Sequence, residues 1–372
     1  NLLPSGILRE NVVNVMGNGM VIDLEHLHHE LQRLRDGGII ITPANLKISD
    51  KAVICMPYHR LLDCLEEDRL GDAKYGSTRR GISPVYGDKY MKKALRMGDL
   101  LHRDIYTAIL ENLVAYKNLT IQNVYGSEPV SYEEMLQWLD TYAAEFKDYI
   151  TDVSLYLNQA EQEGKKIMFE AQLGALRDID FGIYPYTSSS STIAAYAPVG
   201  AGVPNLKLDH VIGIMKAYSS CVGEGPFTCE LFGAEAEALR EAGGEYGAAT
   251  GRPRRVGPFD AVASRYGIRI QGCTEIALTK LDVLSYLEEI PICIHYELDG
   301  KIIDEFPYPA LLTKAKPVIE TVKGWHCDIS KCRTKEDLPK EALDYVRRLE
   351  QLAGCHIKYV SVGAERDAYI IL

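Results

Sequence analysis

The sequence predicts an α/β protein, with a largely parallel central sheet flanked by helices and a helical subdomain inserted into it. Three observations carry this. Short apolar runs alternate with amphipathic helical patterns toward both ends of the 372-residue chain, and such alternation marks a parallel sheet covered by helices. Residues 89–164 instead keep a helical period almost throughout. No apolar run approaches the ~20 residues of a membrane span.

Taken in order, residues 11–16 are an apolar run stopped by Gly17-Asn18-Gly19, which reads as a strand and a turn. Asp23 caps a helix whose Leu24, Leu27, Leu31 and Leu34 share a face, and Gly37-Gly38 stops it. Residues 52–56 form a buried strand, and a helix follows over 57–68. Residues 69–88 read as a loop containing Gly and Arg. Amphipathic helices then fill 89–164, with breaks near Gly98 and Gly126. Further strands are expected over 166–169, 210–215, 276–279, 290–296 and 356–361. Helices are expected over 233–242, 258–267 and 338–353. The expected organisation is 1–88 as one part of the sheet, 89–164 as the helical subdomain, and 165–372 as the rest of the sheet.

The net charge is −11 at pH 7. A field of that sign repels nucleic acid and anionic membranes, so any anionic ligand must be held by local basic clusters. Nine cysteines without a framework read as reduced thiols of a cytoplasmic protein. Cys55, Cys64, Cys221, Cys229, Cys273, Cys293 and Cys355 sit mostly among apolar neighbours and are expected to be buried. Cys327 and Cys332 beside His326 lack the second ligand pair of a zinc site.

The sharpest local signal is Thr279-Lys280-Leu281-Asp282 after an apolar strand. Ligands bind beyond the carboxyl ends of such strands. A carboxylate there can accept two parallel hydrogen bonds from the N1–H and 2-amino group of guanine, which adenine cannot supply. Read alone, Asp282 is more simply the N-cap of a helix starting at Val283. A second signal is Ala248-Ala249-Thr250-Gly251-Arg252-Pro253-Arg254-Arg255. Its arginine forks match carboxylate and phosphate geometry, and Gly and Pro allow them to converge on one anion. The loop Tyr75-Gly76-Ser77-Thr78-Arg79-Arg80-Gly81 offers hydroxyls, backbone N–H groups and guanidinium to a phosphate; a surface loop is an equal reading. Glu170-Ala171-Gln172 and the run Thr187 to Thr192 suit a base edge and a phosphate, although Ser/Thr clusters more often form turns. Lys216 to Pro226 is a further polar loop after a strand. Neither G-x-x-x-x-G-K-[ST] nor G-x-G-x-x-G occurs. The chain thus holds a guanine reader without a phosphate cradle.

These loops together resemble adenylosuccinate synthetase over essentially the whole chain. Four segments carry the resemblance: Gly213-Ile214-Met215-Lys216-Ala217-Tyr218, Val222-Gly223-Glu224-Gly225-Pro226-Phe227, Thr250 to Arg255, and Thr279-Lys280-Leu281-Asp282-Val283-Leu284. The resemblance implies a P-loop-NTPase-like fold and a GTP- and Mg²⁺-dependent joining of IMP and L-aspartate. In it GTP phosphorylates O6 of IMP and the aspartate amine displaces the phosphate. Position by position, Lys280, Leu281 and Asp282, with Ser361, Val362 and Gly363, would read guanine, and Arg254 would lie on the GTP side. Thr78, Gln172, Thr187 and Arg252 would contact IMP, with Ser188 an alternative to Thr187. Ala248, Ala249, Thr250, Gly251, Arg252, Pro253 and Arg254 would hold aspartate. Lys92 stands where the family uses an arginine from the neighbouring subunit of a homodimer.

Departures from the family pattern, such as Ala249-Thr250-Gly251-Arg252 for Thr-Thr-Gly-Arg, suggest a divergent branch. The chain starts Asn-Leu-Leu-Pro, and the family's Gly-Asp-Glu-Gly-Lys-Gly-Lys loop, with its catalytic and metal-binding Asp and a later His, is not in it. An amino-truncated enzyme is therefore expected, with no catalytic residue or metal ligand in this chain, inactive alone and left with unpaired sheet edges. The rival readings are a guanine-nucleotide binding protein without turnover and a GTPase-type switch. The switch leaves the arginine loop unexplained.

Overall fold

Asp23 starts the first long helix as its position predicts. Its carboxylate accepts from the His26 N–H at 3.1 Å, and the helix Leu24–Asp36 ends at Gly37 with Arg33 and Arg35 in its last turn. Leu24, Leu27 and Leu31 are fully buried. That leucine stripe supplies the burial that a short helix needs for stability.

The computed structural model describes residues 2–247 and 251–372. The chain divides into two compact units, Asn1–Gln172 with Ser188–Lys207, and Leu173–Thr187 with Leu208–Leu372.

In the first unit, strands Asn14–Met16, Leu46–Ser49 and Ile150–Thr151 pair in parallel, with Leu46–Ser49 in the middle. Val21–Ile22 and Val53–Ile54 make a second parallel pair. The helices Arg103–Asn123 and Tyr132–Phe146 pack Tyr106, Leu110, Leu139 and Phe146 into the same core as Leu27, Ile48 and Ile54. The stretch 69–88 is not all loop, because Ile82–Met91 is a helix. Pro84 hides it in the sequence but is tolerated in a first turn, and burial of Val85 and Tyr86 holds it. The strand expected over 166–169 does not form. Ile167 and Phe169 pack on Val153, Leu157 and Val203, Met168 is 80% exposed, and no neighbouring strand bonds to this run among the described residues.

The second unit is built on a sheet ordered Tyr369–Ile371, Ile357–Ser361, Glu275–Thr279, Ile212–Lys216. The last three run parallel and the first is antiparallel. Ile276, Leu278, Ile357 and Val360 form its buried face with Tyr345, Val346 and Leu349 of the helix Lys340–Ala353. The strand Ile212–Lys216 is the sheet's edge, and its Ile214 is 70% exposed. A second sheet centres on Glu289–Leu298, between Lys316–Lys323 and Lys301–Ile303. The helices expected near 233–242, 258–267 and 338–353 are Gly233–Gly243, Ala261–Gln271 and Lys340–Ala353.

All nine cysteines are free, as expected. Only Cys55, Cys229 and Cys293 are buried, so the expectation of buried thiols fails for Cys64, Cys221, Cys273 and Cys355, which are half-buried. Apolar sequence neighbours do not place a side chain on the inner face.

Candidate functional site

Three parallel strands of the second unit deliver polar segments from their carboxyl ends. Glu275–Thr279 leads into Lys280, Leu281 and Asp282, Ile357–Ser361 into Val362 and Gly363, and Ile212–Lys216 into Ala217 and Tyr218. Two bonds tie them together. The Leu281 amide donates to the Ser361 carbonyl at 3.2 Å, and the Ala217 amide donates to the Thr279 carbonyl at 2.8 Å. Leu281 and Val362 are fully buried. The Ser361 hydroxyl donates to the Gly363 carbonyl at 2.9 Å.

Asp282 does not act as the cap of a helix starting at Val283. The short turn Asp282–Tyr286 begins with Asp282 itself, and its cap position is Leu281, which makes no side-chain bond. Burial pushes the Asp282 carboxyl above the ordinary aspartate value. Its own amide, Lys280 and the Val283 amide oppose that rise, and the Asp328 charge adds to it. Lys280 holds φ +61°, the left-handed region that a lysine rarely takes. Its ammonium donates to the Gly243 carbonyl at 2.5 Å. A residue kept in that conformation points to a functional constraint on the turn.

The residue that organises this end of the sheet escaped the sequence reading. Glu245 is fully buried. Its Oε1 accepts from the Lys216 ammonium at 2.7 Å and the Tyr218 hydroxyl at 2.5 Å, and its Oε2 from Arg254 Nη1 at 2.9 Å. Burial works against its charge, but Lys216, Tyr218 and Arg254 outweigh it and hold the carboxyl below its ordinary range. In the sequence Gly243-Gly244-Glu245-Tyr246-Gly247 looks like a solvated turn. The only available signal was the concentration of Lys216 and Arg254, which calls for a counter-charge.

Two arginines of the basic cluster, Arg254 and Arg255, are drawn to different carboxylates. Arg255 pairs with Glu230 through two bonds of 2.8 and 2.5 Å and donates to the Gly225 carbonyl at 2.7 Å. Arg254 is drawn to Glu245. Arg252 is exposed on a loop closed at its base, where the Gly247 amide donates to the Arg252 carbonyl at 2.8 Å and Tyr246 bridges Pro253. Gly251 stands at φ +64° within it. Ala248, Ala249 and Thr250 lie outside the described residues.

The loop Lys216 to Pro226 is more than a connector. Ser219–Cys221 pairs antiparallel with Arg255–Gly257. Arg177 donates to the Val222 carbonyl at 2.8 Å and also to the Tyr186 carbonyl. Thr187 follows, half-buried.

Thr78, Lys92 and Gln172 belong to the first unit and Thr187 to the second. All three of the former are exposed. Gln172 follows Glu170, whose Oε2 accepts from the Ser5 amide at 2.9 Å and the Ser5 hydroxyl at 2.8 Å. Lys92 ends the helix Ile82–Met91 at φ +62°. The amides of Tyr75, Gly76 and Ser77 donate to the buried Glu67 at 3.0–3.1 Å, so the backbone groups expected to meet a phosphate already have an internal acceptor. Beneath this loop His59 Nε2 stands 2.8 Å from Asp88 Oδ2, and Asp88 Oδ1 accepts from the Lys117 ammonium. All three side chains are buried. Burial lowers the His59 pKa, which favours the neutral ring.

Among the described residues no group of three or more His, Cys, Asp or Glu could hold a metal ion. Cys332 instead donates to the Asp337 carbonyl at 3.3 Å. No described helix is long and apolar enough to cross a membrane.

The family model described as adenylosuccinate synthetase matches residues 1–370. The adenylosuccinate synthetase of Pelobacter propionicus is 45% identical over 373 residues, covering 100% of this chain and 87% of its own length. That of Streptococcus gordonii is 43% identical, with 100% and 86% covered. These identities run over the whole chain and do not support setting it apart as a divergent branch. A solved structure, the fully ligated adenylosuccinate synthetase from Plasmodium falciparum, is similar at a TM-score of 0.93 and 34% identity, covering 100% of this chain and 87% of that one. That likeness bears out the α/β architecture with a parallel sheet and flanking helices. With the family model matched over residues 1–370 and relatives 43–45% identical across the whole chain, the chain belongs to the adenylosuccinate synthetase family.

Proposed function

We propose that this chain serves the GTP-dependent ligation of IMP and L-aspartate to adenylosuccinate, the first committed step of AMP biosynthesis. The γ-phosphoryl group of GTP passes to O6 of IMP as N1 gives up its proton, leaving GDP and 6-phosphoryl-IMP. The aspartate amine then attacks C6 and expels phosphate. Phosphate leaves readily where hydroxide does not, which is why the oxygen must first be phosphorylated.

Asp282 accepts the N1–H and 2-amino bonds of guanine, the Lys280 stem lies along the base, and the Ser361, Val362 and Gly363 backbone lines its edge. Arg254 faces the GTP side. Gly251, Arg252 and Pro253, with Ala248, Ala249 and Thr250, hold the aspartate carboxylates. Thr78, Gln172, Thr187 and Arg252 contact IMP, and Lys92 reaches the IMP of a neighbouring subunit in a cytoplasmic homodimer. Mg²⁺ bound with GTP would neutralise charge on its phosphates. Such an ion needs only one or two carboxylates besides phosphate oxygens. Among the described residues no three His, Cys, Asp or Glu side chains come together as a metal site.

The observation that carries this reading is the Asp282 carboxylate, half-buried and unused as a cap, beside a Leu281–Ser361 bond that joins the two segments expected to enclose guanine. Calorimetry with GTP and with IMP tests this reading, and failure to bind GTP removes it.

A further inference from the structure

The loop after the helix Pro57–Leu70 is held by carboxylates from that helix. Glu67 Oε1 accepts from the Tyr75 amide at 3.1 Å, and Glu67 Oε2 from the amides of Gly76 at 3.1 Å and Ser77 at 3.0 Å. One turn earlier, Asp63 Oδ2 accepts from the Gly81 amide at 2.8 Å. Glu67 and Asp63 are 4% and 5% exposed. Asp68, at the surface, pairs with Arg79 at 2.6 Å. Thr78 lies in the span these three contacts bracket.

Successive amides converging on one point form a nest of the kind that binds anions. Here the nest is filled by the chain's own buried carboxylate. Gly76, Arg79 and Gly81 stand at φ +75°, +58° and +80°. Two of these positions favour glycine, and Arg79 takes the left-handed region against its preference. Locally the Ser77 hydroxyl accepts from the Arg79 amide at 3.1 Å, and the carboxylate bonds hold the backbone on both sides of it.

We propose that Glu67, assisted by Asp63, is a positioning residue for nucleotide binding: it fixes the 75–81 backbone so that Thr78 is presented to IMP. This rests on the reading of Thr78 as an IMP contact. It also means that the IMP phosphate does not use the amides of residues 75–77. Charge-assisted bonds to a carboxylate are the strong class, and three of them on one side chain make Glu67 the principal tether. Without it the loop populates other paths. If the competent fraction falls to about a tenth, the apparent affinity for IMP falls about tenfold.

The test compares the 372-residue chain with Glu67→Ala and Glu67→Gln, measuring Kd for IMP and for GTP by calorimetry and amide hydrogen exchange over residues 75–81. Glu67→Ala should weaken IMP about tenfold, expose the 75–77 amides to exchange and leave GTP unchanged, because the GTP residues lie in the other unit. Glu67→Gln keeps one acceptor oxygen and should fall between, and it decides the matter if the alanine variant does not fold. Faster exchange with unchanged IMP affinity overturns the inference and leaves the functional reading standing. So does a parallel loss of GTP affinity, which would mark general destabilisation. If the unsubstituted chain binds GTP and not IMP, the assignment of Thr78 falls and the inference with it.

Discussion

Arg254 and Glu245 are joined twice. The guanidinium donates from Nη1 to Glu245 Oε2 at 2.9 Å, and the Arg254 amide donates to the Glu245 carbonyl at 2.8 Å. Arg254 is thus fixed in backbone and side chain by one residue, Glu245, whose carboxylate no solvent reaches. Removing that carboxylate leaves Lys216 and Arg254 without their counter-charge and the Tyr218 hydroxyl without its acceptor. Breaking a buried ion pair from one side costs about 3–5 kcal/mol, so Glu245→Ala should lower unfolding stability by that order. Denaturant titration checks it, and a change below ~1 kcal/mol would class the cluster with ordinary surface pairs.

Acid should act on Glu245 from below and on Asp282 from above the ordinary carboxylate range. The folded Glu245 carboxyl is depressed, so its contribution to stability is complete above the unfolded value of about 4.3 and is lost as pH falls through the lower folded value. Stability of wild type against Glu245→Gln, followed down the pH scale, should converge over that window.

Asp282 behaves in the opposite sense. Burial raises its carboxyl, and in its proposed role only the ionised form would accept both guanine bonds. GTP affinity should therefore begin to fall, on acidification, above the ordinary aspartate value of about 3.9, while the fold is intact. A GTP Kd series against pH with Asp282→Asn as control would show it. A profile in wild type as flat as in the variant would refute the role.

Asp282→Asn should also change which base is read. The amide keeps an acceptor for N1–H but turns an N–H₂ toward position 2. It clashes there with the guanine amino group and pairs with the oxygen of xanthine. Competition between GTP and XTP should reverse in favour of XTP, and retained GTP preference would exclude Asp282 from the base edge.

Asp88→Ala should destabilise the first unit strongly. It would leave the Lys117 ammonium buried and uncompensated and remove the partner of His59, a loss of about 3–5 kcal/mol. Asp88→Asn, which keeps shape without charge, should recover only part of it in thermal unfolding.

The long elements were legible because burial and period agree in them. The helix Leu24–Asp36 was set by Asp23, its leucines and Gly37, and the strand Glu275–Thr279 by its apolar run. What stayed hidden was non-local. Lys316–Lys323 carries charges and a proline, and becomes a strand only by pairing with Glu289–Leu298. Residues 166–169 have strand composition and, among the described residues, no neighbouring strand to bond. Asp282 and Lys280 could be named from their motif, but Glu245 and Glu67 could not. Each is defined by amides, hydroxyls or cations that the fold brings to it, and an isolated glutamate in a sequence reads as surface.

The base of the loop proposed to hold aspartate has a consequence for redesign. The Gly247–Arg252 hydrogen bond and the Tyr246–Pro253 bridge close the segment like a clasp, while Arg254 and Arg255 are anchored outside it by Glu245 and Glu230. Substitutions at 248–251 leave these anchors untouched. If the proposed function holds, libraries confined to those positions can seek ligases for other amino acids while the anchored flanks are inherited unchanged.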